Sequence, residues 1–179
     1  MTEPAAAPTP PSLTVCRVEP SLWKVQRGVR LAMLLDTPLA YGSTFAREVA
    51  FPDELWVERM KDSAGWLAFE AEQPVGAVTL FHAPGQPDDE AHLVAMWVAS
   101  HARGRGAADE LVRTVVEHAR QAGLRRVILD VADGNFRAIG FYERAGFTRT
   151  GRTGELPHQP GVTEFEMEFV LRDLPAGSG

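Results

Sequence analysis

Arg103-Gly104-Arg105-Gly106-Ala107-Ala108 follows a run of strand-forming residues and precedes a helical one. Glycines at such a junction let the backbone turn sharply, and the N–H groups of the helix's first turn then converge on one point. The helix dipole adds partial positive charge there; Arg103 and Arg105 add whole charges. The chemistry this suits is the holding of a diphosphate. Three diphosphate patterns are candidates. The P-loop requires a lysine and a Ser/Thr behind its second glycine, where Ala107 and Ala108 stand. The dinucleotide turn Gly-x-Gly-x-x-Gly requires a third glycine, where Asp109 lies. The coenzyme A turn, Arg/Gln-x-x-Gly-x-Gly/Ala, is matched by Arg103, Gly106 and Ala108. A ligand-free strand-to-helix turn would use the same glycines, so this segment alone leaves both readings open.

The elements that would position the turn can be read from periodicity. Leu13 to Val18 reads as a first strand. Leu22, Val25, Val29, Ala32 and Met33 repeat at helical spacing after Pro20, up to Asp36-Thr37-Pro38. Tyr41–Thr44 reads as a loop, and a second helix runs from about Pro52 to Met60. Trp66–Ala71 and Val75–Phe81 read as a hairpin turned through Glu72-Gln73-Pro74. His92–Ala99 is a strand leading into the glycine turn. Beyond it Ala108, Leu111, Val112, Val115, Val116 and Ala119 form one apolar helix face, closed by Gly123. Val127–Val131 is a buried strand. Asp133-Gly134-Asn135 then turns into a helix through Arg144, and one or two strands finish the chain. In the last, Phe165, Met167, Phe169 and Leu171 alternate with Glu164, Glu166 and Glu168. The order predicts an α/β (α+β) fold with a mixed six- to seven-stranded sheet and about four helices, antiparallel early and parallel later.

Composition narrows the classes of function. The chain has 179 residues, 45% hydrophobic and 23% charged, which suits one folded domain. We expect that domain at 13–173, between a disordered Pro/Ala-rich tail at 1–12 and a second tail at 174–179. The net charge of −6, with no basic stripe, speaks against nucleic acid and mildly for a cationic substrate. No apolar run is long enough to span a membrane, and no secretory signal is seen, so a cytoplasmic setting is expected. Cys16 is the one cysteine. It rules out an internal disulfide and a cysteine-based zinc site, and its strand position predicts core packing over nucleophilic chemistry. The histidines show no metal-ligand spacing, so no metal is expected.

Two longer segments carry a resemblance. Met96-Trp97-Val98-Ala99-Ser100-His101-Ala102-Arg103-Gly104-Arg105-Gly106-Ala107-Ala108-Asp109-Glu110-Leu111 resembles the acetyl-CoA motif of the GCN5-related N-acetyltransferases (GNAT). Asn135 to Phe147 resembles that family's N-x-x-A-x-x-x-Y-x-x-x-G-F segment. The early Pro38–Thr44 and the final Glu164–Leu171 resemble a bacterial branch, so the likeness covers roughly residues 13–172. Ser100 departs from the proline of many relatives, at a position that shapes the strand exit and does no chemistry.

The resemblance implies an acyltransferase moving acetyl from acetyl-CoA to a primary amine by direct transfer in a ternary complex. It implies a sheet whose two parallel strands splay to admit the pantetheine arm against Met96, Trp97 and Val98, one N–H of which polarises the thioester carbonyl. The diphosphate would rest on Gly104, Arg105, Gly106, Ala107, Ala108 and Asp109, beside Arg103. Asn135 would contact the coenzyme, cap its helix, or both. Tyr142, seven residues along that helix, would be the general acid: a phenol with its ordinary pKa of about 10 still holds its proton at neutral pH. His92 occupies the place of the glutamate base of histone-type relatives and would serve directly or through water. Asp89, Glu90, Glu48 and His82 are further candidates for the base. Two other readings stay open: acetylation of a protein amine, and an acyl-CoA-binding module without catalysis. The family often forms homodimers.

Overall fold

The structure is a computed structural model and describes residues 12–156 and 160–171. The tails expected at 1–12 and 174–179 fall outside these residues except at Ser12. Seven strands form one sheet: β1 (Leu13–Arg17), β2 (Ser63–Glu70), β3 (Gln73–Phe81), β4 (Glu90–Val98), β5 (Arg126–Ala132), β6 (Thr148–Glu155) and β7 (Thr163–Val170), in the order β1-β2-β3-β4-β5-β7-β6. Five α-helices accompany it: α1 (Trp23–Asp36), α2 (Phe45–Val49), α3 (Asp53–Arg59), α4 (Ala107–Gln121) and α5 (Phe136–Arg144).

The apolar face read for α4 is the face it buries. Leu111, Val112, Val115, Val116 and Ala119 are all nearly inaccessible and pack on the sheet. They join Trp66, Val75, Val78, Val127, Leu129, Phe147, Phe165 and Met167 in one core. α1 rests on β3 and gathers α2 and α3 beside it. Arg30 and Arg59 both reach the carboxylate of Glu48, which is 1% exposed, and so fasten these helices together. At the other end of β4, Arg125 and Arg126 grip the buried Glu90, and Arg126 also holds Glu168 at 2.7 Å.

Several expectations are corrected. The later strands are not generally parallel: β4 and β5 are the one parallel pair among the described residues, and β7 enters between β5 and β6, antiparallel to both. The β2–β3 turn is Ala71-Glu72, earlier than read, because Gln73 already pairs with Glu70 and Pro74 with Phe69. Ala71 bears a positive φ of 52° there. α2 was not expected; at five residues it is too short to show periodicity. Cys16 is exposed, not packed in the core. On β1, an edge strand, Leu13 and Val15 face the core, and the alternation turns Cys16 the other way.

Candidate functional site

β4 and β5 stay paired for three residues only: Glu90 with Arg126, Ala91 with Val127 and His92 with Ile128. Beyond that the strands part, and β4 continues with β3 alone. A bulge marks the parting. Thr79 pairs with Val94 and Ala77 with Trp97, so β4 carries one residue more than β3 opposite it. Ala95 takes the strain with a φ of 54°. The Ala99 N–H bonds back to Val75. Since backbone groups alternate in direction along a strand, Trp97 also faces β3, while Met96 and Val98 face the gap. Of the three residues expected at the edge, Met96 and Val98 thus turn their backbone groups to the gap and Trp97 turns its own to β3. The Trp97 indole instead donates to Asp36, 2.9 Å away.

Side chains already touch that edge. Tyr41 Oη donates to the Met96 carbonyl at 3.1 Å, and Arg103 Nε donates to the Val98 carbonyl at 2.9 Å. Arg103 also pairs with Asp36, and Arg105 with Glu70 at 2.6 Å. Both guanidinium groups therefore have carboxylate partners, and the backbone is the freer part of the turn. Gly104 and Gly106 have φ of 78° and 90° with open space where a Cβ would stand. Gly106 is the N-cap of α4 and offers no side-chain cap, so the first N–H groups, from Ala107 to Asp109, have no intrahelical partner. A long helix with an uncapped start behind two open glycines suits a diphosphate, and the adjoining gap suits an extended amide-bearing arm.

A cavity of about 720 Å³ opens from the gap. Met96, Asn135 and Tyr142 line it together, with Tyr41, Trp56, Asp130 and Glu164. Tyr142 is 8% exposed and packs edge-on against Phe141 and Phe147. Burial, and secondarily the Tyr41 phenol, pushes its pKa well above the usual tyrosine value. Asn135 Oδ1 accepts from the Ala138 N–H at 3.2 Å, so it caps α5 as expected, and it also faces the cavity.

His92 is not in the cavity wall; Asp130 stands between, its Oδ2 3.9 Å from His92 Nε2. Gln86 Oε1 accepts from the Ala83 N–H at 3.0 Å and lies 3.1 Å from His92 Nδ1. That oxygen can only accept, so Nδ1 carries a proton, and in the neutral ring Nε2 is the nitrogen with the lone pair. The other candidate bases are engaged elsewhere: Glu48 by two arginines, Glu90 by Arg125 and Arg126, Asp89 by Arg125, and His82 beside Asp88. Asp130 and Glu164 were missed as lining residues, because placing them needed the β5–β7 register. Among the described residues no group of His, Cys, Asp or Glu is arranged for a metal, and no helix is long and apolar enough to cross a membrane.

A split parallel pair beside a glycine-started helix is the architecture of the acyl-CoA-binding acetyltransferases, and comparison with known proteins agrees. A family model described as "Acetyltransferase (GNAT) family" matches residues 31–147. The chain belongs to that family. It is 34% identical to human N-acetyltransferase 8B over 93 residues, 51% of this chain and 41% of that protein. It is 39% identical to mycothiol acetyltransferase of Corynebacterium glutamicum over 89 residues, 49% of this chain and 29% of that one. The match thus spans less than half the length of these curated relatives. A GNAT acetyltransferase from Streptococcus pneumoniae superposes with a TM-score of 0.74 at 17% identity, covering 89% of this chain and all of that one. The spermidine N-acetyltransferase of Vibrio cholerae, solved with CoA and spermine, gives 0.69 at 16% identity over 88% and 95% of the two chains. At these identities the structural likeness concerns the fold.

Proposed function

We propose that the protein transfers the acetyl group of acetyl-CoA to a primary amine of a small molecule, directly, with both substrates bound. The observation that carries this reading is the meeting of the β4–β5 gap and the buried phenol of Tyr142 at one cavity, with β4 running on from that gap into the uncapped start of α4. The cavity volume is that of a small-ligand site. Acetyl-CoA supplies the activated thioester. Backbone N–H groups of Gly104 to Asp109 hold its diphosphate, and the Met96 and Val98 edge aligns its arm once Tyr41 and Arg103 yield the two carbonyls. Asn135 lies where it can touch the coenzyme while capping α5.

Tyr142 holds its proton, because burial disfavours the phenolate. As the amine nitrogen bonds to the acetyl carbon and the carbon–sulfur bond breaks, Tyr142 gives that proton to the sulfur. The amine's own proton leaves through water to Nε2 of His92, and returning it to Tyr142 closes the cycle. A backbone N–H at the β4 bulge faces the thioester oxygen and stabilises its developing charge. The test is coenzyme A release from acetyl-CoA over a panel of primary amines, with Tyr142→Phe alongside. Release that depends on an amine and drops in the variant supports the reading; no release with any amine refutes it.

A further inference from the structure

Gln86 lies in the loop between β3 and β4, outside the cavity wall. Its main chain closes a tight turn. The Gln86 N–H donates to the Ala83 carbonyl at 3.0 Å, and Gly85 supplies a positive φ of 80° within the turn. The side chain closes the same turn a second time, since Oε1 accepts from the Ala83 N–H at 3.0 Å. That second bond settles how the carboxamide is oriented, because a backbone N–H needs an oxygen opposite it. The same oxygen is 3.1 Å from His92 Nδ1. The turn therefore offers Nδ1 an acceptor and keeps the amide N–H groups away from it.

The fold bears a cost for this. Gln86 Nε2 is buried and has no hydrogen-bond partner among the described residues, and a buried donor left unpaired carries a desolvation penalty. Closing the turn does not require the side chain, because the main-chain bond already does so. What the carboxamide adds is an oxygen at Nδ1. His92 thus stands between two unlike groups: the Gln86 oxygen at Nδ1, and at Nε2 the carboxylate of Asp130, its Oδ2 3.9 Å away on the cavity side. Without the Gln86 oxygen, that carboxylate would draw the ring's one proton to Nε2, and the neutral ring would have no lone pair there.

We propose that Gln86 is a positioning residue for the transfer: it fixes His92 in the tautomer whose Nε2 can take the acceptor amine's proton, and Asp130 stabilises the imidazolium that results. This rests on the acetyltransferase reading above, with His92 as its base. As the amine nitrogen bonds to the acetyl carbon, its N–H bond breaks, the electron pair stays on nitrogen, and the proton passes through water to Nε2. Nδ1 keeps its own proton throughout, on the Gln86 oxygen.

The experiment uses Gln86→Leu, which keeps the bulk and removes the oxygen. Nitrogen-15 NMR of the full chain at about pH 8.5, where an imidazole is ordinarily neutral, separates the two tautomers, and His92→Gln assigns the signal. The expected result is a proton on Nδ1 of His92 in the unaltered protein and on Nε2 in Gln86→Leu. In coenzyme A release, kcat should fall about tenfold in Gln86→Leu, as in His92→Gln, with KM for the amine unchanged. The double variant should be no slower than either single one. Acetyl-CoA affinity, retained, checks folding. A purely structural glutamine would leave the tautomer as it is, and its loss would add to that of His92. Nε2 protonation in the unaltered protein, additive losses, or a kcat that His92→Gln leaves unaltered overturns the role of Gln86 and leaves the transferase standing. No release by the unaltered protein with any amine of a wide panel overturns both.

Discussion

In the proposed reaction Tyr142 and His92 have unequal parts, and their surroundings say why. Tyr142 lines the cavity, is packed between Phe141 and Phe147, and is kept protonated by burial. Replacing it by Phe preserves that packing and removes the proton. We expect kcat to fall about 10²-fold with acetyl-CoA affinity unchanged, read by stopped assays and calorimetry; an unaltered kcat would remove Tyr142 from the mechanism. An ordinary phenol is half ionised at about pH 10. Because the Tyr142 pKa is raised, its acid form persists there, and the alkaline loss of activity that an ordinary phenol would cause is displaced upward. The pH profile of kcat for the unaltered protein tests this, and a Tyr142-dependent fall already below about pH 10 would contradict it. In the proposed reaction His92 works from behind Asp130, through solvent. His92→Gln should therefore lower kcat less than Tyr142→Phe does, with little change in KM.

At the scale of elements, two backbone positions are decisive. Gly106 has a φ of 90° and open space around its Cβ position, so Gly106→Ala clashes with nothing and costs only backbone strain, about 1–2 kcal/mol. Relief of that strain would re-aim the first N–H groups of α4. The expected result is weaker acetyl-CoA binding at little loss of fold, seen by calorimetry beside a thermal melt. Ala71 is the reverse case. Its φ of 52° suits glycine, and Ala71→Gly should raise stability by about 0.5 kcal/mol in a urea titration. Where a residue's periodicity and its environment agree, the sequence was readable. α4 shows this, since its apolar stripe is its buried face. The glycine turn and the Asn135–Tyr142 helix were readable because their residues lie close along the chain. The gap-facing alternation of Met96, Trp97 and Val98 was not, because it depends on a β4 bulge registered against β3. The two carboxylates that line the cavity, Asp130 and Glu164, were hidden for a related reason. Glu164, Glu166 and Glu168 alternate like a solvated strand face, and only β7's place beside β5 brings the first two to Asp130. Glu168 is instead tied to Arg126.

For the whole molecule, pH links the charge network to stability. Burial, then repulsion by Arg17, lowers the His118 pKa beside Trp66. A histidine depressed in the fold contributes fully above its unfolded value of about 6.5, and its contribution is lost as pH falls from there toward the folded value. For Glu48, burial alone would raise the pKa, but Arg30 and then Arg59 overcome it and lower it. Its stabilising contribution is lost further down, below the usual glutamate range. Asp130 and Glu164, raised, work in the opposite sense. His118→Phe isolates the first effect. The unaltered protein should lose thermal stability between about pH 7 and 5 relative to this variant, and parallel curves would refute the assignment.

The proposed reaction requires the split between β4 and β5 to serve as an acyl-CoA site. The most direct test is calorimetric titration of the protein with acetyl-CoA, with NAD, a diphosphate without the pantetheine arm, as control. We predict one-to-one binding with a dissociation constant on the order of micromolar for acetyl-CoA, and none of comparable strength for NAD. No heat from acetyl-CoA, or equal binding of the two, would mean that the turn before α4 holds no pantetheine-bearing ligand, which would contradict the proposed function.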